Sequence, residues 1–371
     1  MLQNNKHVIF CTSGIFPESV GGIQRHSKLL IEELAKTKSI QLTVIHPHTA
    51  KRMFDAEYDV QEIAIDFNHA NGNYLHNCYK YSKLVYAELA RYPHAIVYTQ
   101  GLNVWHNAGK LKGRLIYNPH GLEPFQGQTF RDKITTWPFR IIMKKLFSKA
   151  TYVISLGGHL TALLKAAGVP QSQIIVLPNA TNIPETFIKI KNEICTFLFV
   201  GRFAHNKGIA ILLQAIKELN AQGFEKKIHF NLVGKGPLYN QMINEYKQPN
   251  ITFAGFANDE QLKQFYASSN AFVFPTLFEG MPTVILEAMS YQLPVIVSDV
   301  GATAEQVDSS NGFLIEKNNK LQLIAAIKKF VGLSANERIS MGEQSLNKVR
   351  EKFTWKAVAM QHIDLFNSIK K

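Results

Sequence analysis

Arg202 and Lys207 stand five residues apart in GRFAHNKGI (201–209), between a short apolar run and a helical pattern. A planar guanidinium fork and an ammonium point charge opening a helix suit a diphosphate better than they suit two idle solvated cations. Glu279 and Glu287 lie eight positions apart in EGMPTVILE, the first in a loop and the second in a helix. Pro282 opens that helix as a first-turn proline. Carboxylates that only accept hydrogen bonds fit the hydroxyls of a sugar and a ribose. Taken alone, two such glutamates read more simply as a capping residue and a solvated one. Gly21 and Gly22 precede another helix, where small residues let a ligand approach backbone and the helix amino end favours anions. Their spacing is not GxGxxG, so there is no dinucleotide fingerprint. VGKGPL (233–238) places Gly234 and Gly236 where backbone N–H groups could approach phosphate, although Gly-x-Gly-Pro is also a plain turn. His120, in YNPHGLE, ends one more apolar run, and a lone histidine there is as often structural as functional.

These residues need elements to hold them. Apolar runs recur at 7–11, 41–46, 94–99, 114–118, 152–155 and 174–178, then at 197–201, 229–234, 251–255, 271–275, 294–298 and 313–316. Continuous apolar character predicts parallel strands buried on both faces. Helical patterns such as 26–36 and 208–223 lie between them, which predicts right-handed βαβ units and doubly wound sheets. Some twelve strands predict two sheets rather than one. The boundary falls in LPNATNIPETFIKIKNE (177–193), giving domains over 1–182 and 190–355. Ligands of open α/β sheets bind outside the carboxyl ends of the strands, where all the motifs fall.

Composition narrows the classes. The 371 residues are 46% hydrophobic and 19% charged, too apolar for a disordered chain. No stretch has the ~18–20 apolar residues of a membrane span, and the start is too short in apolar residues for a secretion signal. Cys11, Cys78 and Cys195 are widely spaced, which argues against a disulfide framework or a zinc site, and no HExxH pair occurs. The expectation is a cytoplasmic globular protein without bound metal. The net charge is +13, of which residues 1–189 carry +9 from 21 basic and 12 acidic side chains. Such an excess suits nucleic acid, an anionic membrane surface or a phosphorylated small molecule, or simply solvates a surface. No aromatic–basic repeat supports nucleic acid. In residues 135–150, Arg140, Lys144, Lys145 and Lys149 are interleaved with Trp137, Phe139, Ile141, Ile142, Leu146 and Phe147. That is the pattern of a basic amphipathic helix, either an anchor on anionic lipid or a helix that packs its apolar face and solvates its cations.

Arg202, Lys207 and the Glu279–Glu287 motif, in this order, resemble the retaining glycosyltransferases of family four, glycosyl transferases group 1. Gly21-Gly22, LPNATN, VGKGP, NGFLI (311–315) and FTW (353–355) extend the likeness over most of the chain. The resemblance implies an α/β chain of GT-B fold: two Rossmann-like doubly wound parallel-sheet domains facing a cleft. A C-terminal helix (356–371) would cross back to the first, acceptor-binding domain, leaving 190–355 to bind the nucleotide-sugar donor. It implies metal-independent transfer of a hexose-type sugar, with retention, from a UDP-sugar more than a GDP-sugar. The acceptor would be a glycan or lipid-linked, in envelope polysaccharide, lipopolysaccharide or glycolipid synthesis, at or near the inner face of a membrane. Arg202 and Lys207 would hold the diphosphate, Glu279 the donor sugar and Glu287 the ribose. His120 would sit beside the sugar, and Gly21 and Gly22 would leave room for phosphate or acceptor. Val284 and Ile285 would offer backbone N–H groups. Ala180 and Asn182 stand where Gly and Asp are common in that family, Gln292 where Gly is, and Lys235 where an acidic or neutral residue is. An epimerase of the same fold and a non-catalytic basic binding protein are the rival readings.

Overall fold

The computed structural model describes residues 5–19, 21–67, 73–127, 134–190 and 193–369. The chain divides into two compact units, one of residues 1–179 with 355–371 and one of residues 180–354.

The first unit is built on β1 (Lys6–Cys11), β2 (Ile40–His46), β3 (Val60–Ala64), β4 (Ile96–Gln100), β5 (Leu115–Asn118), β6 (Tyr152–Ser155) and β7 (Ile174–Val176). They form one seven-stranded sheet in the order β3-β2-β1-β4-β5-β6-β7. Every pairing is parallel. The central strands are buried, as sheets covered by helices on both faces require. The sequence pattern omits β3. It is an edge strand, paired with β2 alone, and in VQEIA only Val60 is buried, with Gln61 and Glu62 interrupting the apolar run.

The second unit is built on β8 (Cys195–Val200), β9 (Ile228–Val233), β10 (Ile251–Gly255), β11 (Ala271–Phe274), β12 (Val295–Ser298) and β13 (Gly312–Ile315), in the order β10-β9-β8-β11-β12-β13. All five pairings are again parallel. Residues 180–189, read from sequence as a linker, belong to this unit. Phe187 packs on Tyr291 with ring centroids 5.0 Å apart. Lys189 Nζ donates to the carbonyl oxygens of Tyr291 and Gln292 at 3.2 Å, a cation at the carboxyl end of the helix Thr283–Ser290. Thr181 N–H donates to Phe353 O at 2.8 Å, tying the start of the unit to its end.

The last helix, Trp355–Ser368, belongs to the first unit. Val358, Ile363, Leu365 and Phe366 are buried, whereas Met360 is 46% exposed. Phe366 lies edge-on to Phe10 and Tyr98 at 6.3 and 6.1 Å, while Lys6 Nζ donates to the Phe366 and Asn367 carbonyl oxygens that end the helix. The three cysteines are free and buried.

Candidate active-site residues

In the second unit, the singled-out residues follow β8, β9 and β11, and the backbones of these loops interlock. Gly234 has φ 131°, and a Cβ there would lie 2.0 Å from Gly201 O. A Cβ on Gly236 would lie 2.5 Å from Phe203 O. These glycines let the turn after β9 nest against the turn after β8, locked by Phe203 N–H to Lys235 O at 3.1 Å. The Gly234 N–H donates to Gly255 O at 2.7 Å, so it does not await a phosphate. Gly208, at φ 70°, sits against Pro275 O in the same way.

That nesting brings Lys207 to Glu279. Lys207 Nζ donates to Glu279 Oε1 at 2.6 Å, and both side chains are largely shielded. Thr276 Oγ1 lies 3.0 Å from the same carboxylate oxygen and 2.8 Å from Asn206 O, while Leu277 N–H donates to Asn206 O at 2.8 Å. A diphosphate cation and a sugar-binding carboxylate, assigned separately from sequence, are thus one ion pair joining two strand-end loops. Arg202 is exposed, and among the described residues its guanidinium has no hydrogen-bond or ion-pair partner.

Pro282 is the cap residue and not the first helical one; the helix begins at Thr283. Pro282 offers no side-chain cap hydrogen bond to the first-turn N–H groups. Ile285 is buried, and its N–H already donates to Pro282 O at 3.3 Å, which leaves Val284 as the better placed of the two amides. Glu287, one turn on, accepts from Tyr266 OH at 2.9 Å. Burial, and then the adjacent Glu287, push the Tyr266 phenol well above its usual range, so it keeps its proton and donates.

Sequence reasoning missed the supports of Glu279. Gly301, at φ 58°, has no room for a Cβ, which would lie 2.3 Å from Glu279 O. Ala302 N–H donates to Gly280 O at 2.8 Å and Gln306 Nε2 to Pro282 O at 3.0 Å. The one available signal was Gly301 standing just after an apolar strand and before a helix, a position shared with Gly21 and Gly208.

In the first unit, Gly21 caps the helix Gly22–Thr37 and both glycines are exposed. A Cβ on Gly22 would meet nothing within 4 Å, and one on Gly21 only the flexible end of Gln24. Packing demands neither glycine; they leave open space. His120 follows β5 in a left-handed conformation, φ 57°. Its Nε2 is shielded from solvent and has no hydrogen-bond partner among the described residues. Burial, then the nearby His362, hold its imidazole down at about 3, so the ring is neutral. A cavity of about 680 Å³ opens at the carboxyl ends of β1, β2 and β4, lined by Ser13, Glu18, His48, Asp66, Tyr74 and Asn103 among others. A second cavity, of about 790 Å³, lies at the amino ends of β1, β4 and β5, away from these loops.

The basic helix spans Trp137–Lys149. Leu146 and Phe147, with Met143, turn into the core, and Arg140 Nε donates to Pro124 O at 2.6 Å, so these residues do not face solvent as an anchor would need. Trp137 is 62% and Ile141 48% exposed, on one stripe with exposed Lys144 and Lys145. Among the described residues, no helix is long and apolar enough to cross a membrane, and no cluster of three His, Cys, Asp or Glu could hold a metal ion.

Two parallel doubly wound sheets with a last helix given back to the first unit define the GT-B class. Sucrose-phosphate synthase from Thermosynechococcus elongatus has the same fold, with a TM-score of 0.79 at 19% identity over 98% of each chain. Residues 20–184 match the family model described as Glycosyltransferase Family 4, and residues 195–332 match Glycosyl transferases group 1. The chain belongs to glycosyltransferase family four. It is 27% identical over 195 residues to the capsular polysaccharide biosynthesis glycosyltransferase CapM of Staphylococcus aureus, 51% of this chain and 50% of that one. It is 30% identical over 166 residues to the UDP-Gal:alpha-D-GlcNAc-diphosphoundecaprenol alpha-1,3-galactosyltransferase of Escherichia coli, 43% of this chain and 42% of that one. The matched segments therefore span about half the length of these curated relatives.

Proposed function

We propose that this protein is a retaining, metal-independent hexosyltransferase that moves a sugar from a UDP-sugar to a glycan or lipid-linked acceptor in envelope polysaccharide, lipopolysaccharide or glycolipid synthesis. The carrying observation is the Lys207–Glu279 pair at 2.6 Å, with exposed Arg202 on the same loop, unpartnered among the described residues. One cation and one carboxylate held in contact match a ligand with adjacent phosphate and hydroxyl groups, as a nucleotide sugar has. The names of the relatives support the substrate class: one acts in capsular polysaccharide synthesis, the other on a UDP-sugar and a diphosphate-linked lipid.

On this reading, Arg202 and Lys207 offset the negative charge that grows on the leaving phosphate as the bond from the anomeric carbon to oxygen breaks. The acceptor oxygen forms its bond on the same face, and its proton passes to the departing phosphate oxygen. Glu279 fixes sugar hydroxyls, Glu287 those of the ribose, and Val284 N–H meets the diphosphate. Neutral His120 donates or accepts one hydrogen bond at the sugar and carries no charge. The cavity with Glu18, Asp66 and Asn103 takes the acceptor. The exposed stripe of Trp137, Ile141, Lys144 and Lys145 rests on anionic lipid at the inner face of the membrane.

A thermal-shift panel of UDP- and GDP-sugars, followed by product analysis with the stabilising donor, tests this. A ligand at about 100 times its dissociation constant stabilises by about 2.7 kcal/mol. Transfer that survives excess EDTA and yields a product of unchanged anomeric configuration is expected. Stabilisation by no nucleotide sugar, an inverted product or activity restored only by magnesium would overturn the corresponding part, and release of an epimerised free nucleotide sugar would favour an epimerase.

A further inference from the structure

His120 occupies a conformation that costs a non-glycine residue about 1–2 kcal/mol, and a chain of hydrogen bonds holds it there. Its backbone N–H donates to Asn118 Oδ1 at 2.8 Å. The other end of that amide, Asn118 Nδ2, donates to Tyr98 Oη at 2.8 Å. Tyr98 Oη lies 3.2 Å from His362 Nε2, and His362 Nδ1 lies 2.8 Å from Val358 O. Tyr98, Asn118 and His362 are all buried.

The direction of every bond follows from the last one. A carbonyl oxygen only accepts, so His362 Nδ1 carries the proton. In a neutral imidazole Nε2 is then a bare acceptor, and Tyr98 O–H must donate to it. The Tyr98 oxygen is left to accept, which turns the Asn118 amino group toward it. Asn118 Oδ1 thereby faces the His120 N–H. Burial holds the His362 imidazole down at about 4, so the neutral form persists. A protonated His362 would donate from Nε2 and leave the Tyr98 proton without its acceptor.

A second arm reaches the ring. His26 stands edge-on to His120 at 4.8 Å and edge-on to Trp355 at 5.3 Å. Its Nδ1 accepts from Gln100 Nε2 at 3.5 Å, and Gln100 Oε1 accepts from Ser27 Oγ. Trp355 and His362 both lie on the last helix, Trp355–Ser368.

We propose that His362 is a positioning residue for His120: from the last helix, through Tyr98 and Asn118, it sets the turn that aims the His120 imidazole. This deepens the reading of His120 as a group beside the donor sugar, and rests on that reading only for its catalytic consequence. The geometric claim stands independently.

Two measurements on the full chain decide it. In protein labelled with ¹⁵N-histidine, with the His120 signals assigned by their loss in His120→Gln, Tyr98→Phe and His362→Leu are expected to move the His120 backbone amide resonance. His362→Gln, whose side-chain oxygen replaces Nε2 as acceptor, is expected to hold it near its wild-type position. In the transfer assay, Tyr98→Phe and His362→Leu are expected to lower kcat about tenfold or more at a donor KM within about two-fold, because misaimed groups cost rate and not ground-state binding. His362→Gln is expected to recover most of it. An unmoved His120 resonance in Tyr98→Phe, or equal loss of kcat in His362→Leu and His362→Gln, overturns the proposal. Tyr98→Phe keeps the ring in the core and carries the test if His362→Leu does not fold. If the wild type transfers no sugar, the functional reading fails while the histidine resonances still decide this one.

Discussion

Replacing Lys207 by alanine removes one partner of a short, shielded ion pair. At 2.6 Å and an effective dielectric of 20, the attraction is about 6 kcal/mol, most of it offset by the desolvation of both ions. A double-mutant cycle on unfolding free energy with Lys207→Ala and Glu279→Ala is therefore expected to show a coupling of about 1–3 kcal/mol. Lys207→Ala alone removes the ammonium 2.6 Å from Glu279 Oε1 and leaves Thr276 Oγ1 beside that oxygen at 3.0 Å. Arg202→Ala strands nothing, because the side chain is exposed and unpartnered among the described residues. Its stability is expected to change by no more than about 0.5 kcal/mol. In turnover the two are expected to agree, each falling about 10²-fold or more as transition-state charge loses a donor. Urea unfolding and initial transfer rates on wild type and these four variants separate the roles. Turnover within a few-fold of wild type in both single variants would refute the diphosphate assignment, and a coupling near zero would refute the reading of the pair as a structural joint.

Gln292→Gly is expected to stabilise by about 0.5–1 kcal/mol, since Gln292 sits at φ 56° where glycine is strain-free; an unchanged or lower urea midpoint would contradict it. Buried His362 is depressed to about 4 and buried His26 well below its ordinary value, so the unfolded chain binds protons that the folded one refuses. Their stabilising effect is complete above about pH 6.5 and is lost as pH falls, by about 1.4 kcal/mol per unit for each, and unfolding of His362→Gln between pH 6.5 and 4 is expected to show a shallower slope than wild type. The wild type is expected to co-sediment with vesicles of anionic lipid at low salt and to be released as ionic strength rises; Lys144→Gln with Lys145→Gln, or Trp137→Ala, should weaken that binding and leave nucleotide binding intact, and failure of the wild type to bind at low salt would remove the membrane from the proposal.

Most of the sheet scaffold was legible because parallel strands buried on both faces announce themselves as unbroken apolar runs. YVIS (152–155), an internal strand between β5 and β7, occupies β6 without a residue of error. Val60–Ala64 escaped because an edge strand has no such obligation. Its Glu62 serves the neighbouring loop, accepting from Met53 and Phe54 N–H groups at 2.7 and 3.3 Å. The split between Asn179 and Ala180 falls inside the segment 177–193; proline and asparagine there mark an irregular backbone, but irregular backbone still packs where Phe187 and Lys189 find Tyr291 and the end of a helix.

For the candidate site, residue types and loop positions were legible, and partnerships were not. A cation after one strand and a carboxylate after another can each be named from spacing. That they meet at 2.6 Å depends on β8 and β11 being neighbours in the sheet, a fact no local window contains. The same holds for Gly234, whose absent side chain makes room for Gly201 and not for a ligand. In the other unit, His120 looked like a lone histidine because its supports come from β4, the end of β5 and a helix 235 residues further along the chain. The departures from the family pattern divide on the same line. Gln292 shows why glycine is common there, since the left-handed turn before β12 persists without it. A motif thus marks where the backbone must bend or where charge must stand; which groups then face each other is a property of strand order, and it is strand order that turns scattered glutamates, lysines and histidines into candidates for one chemistry.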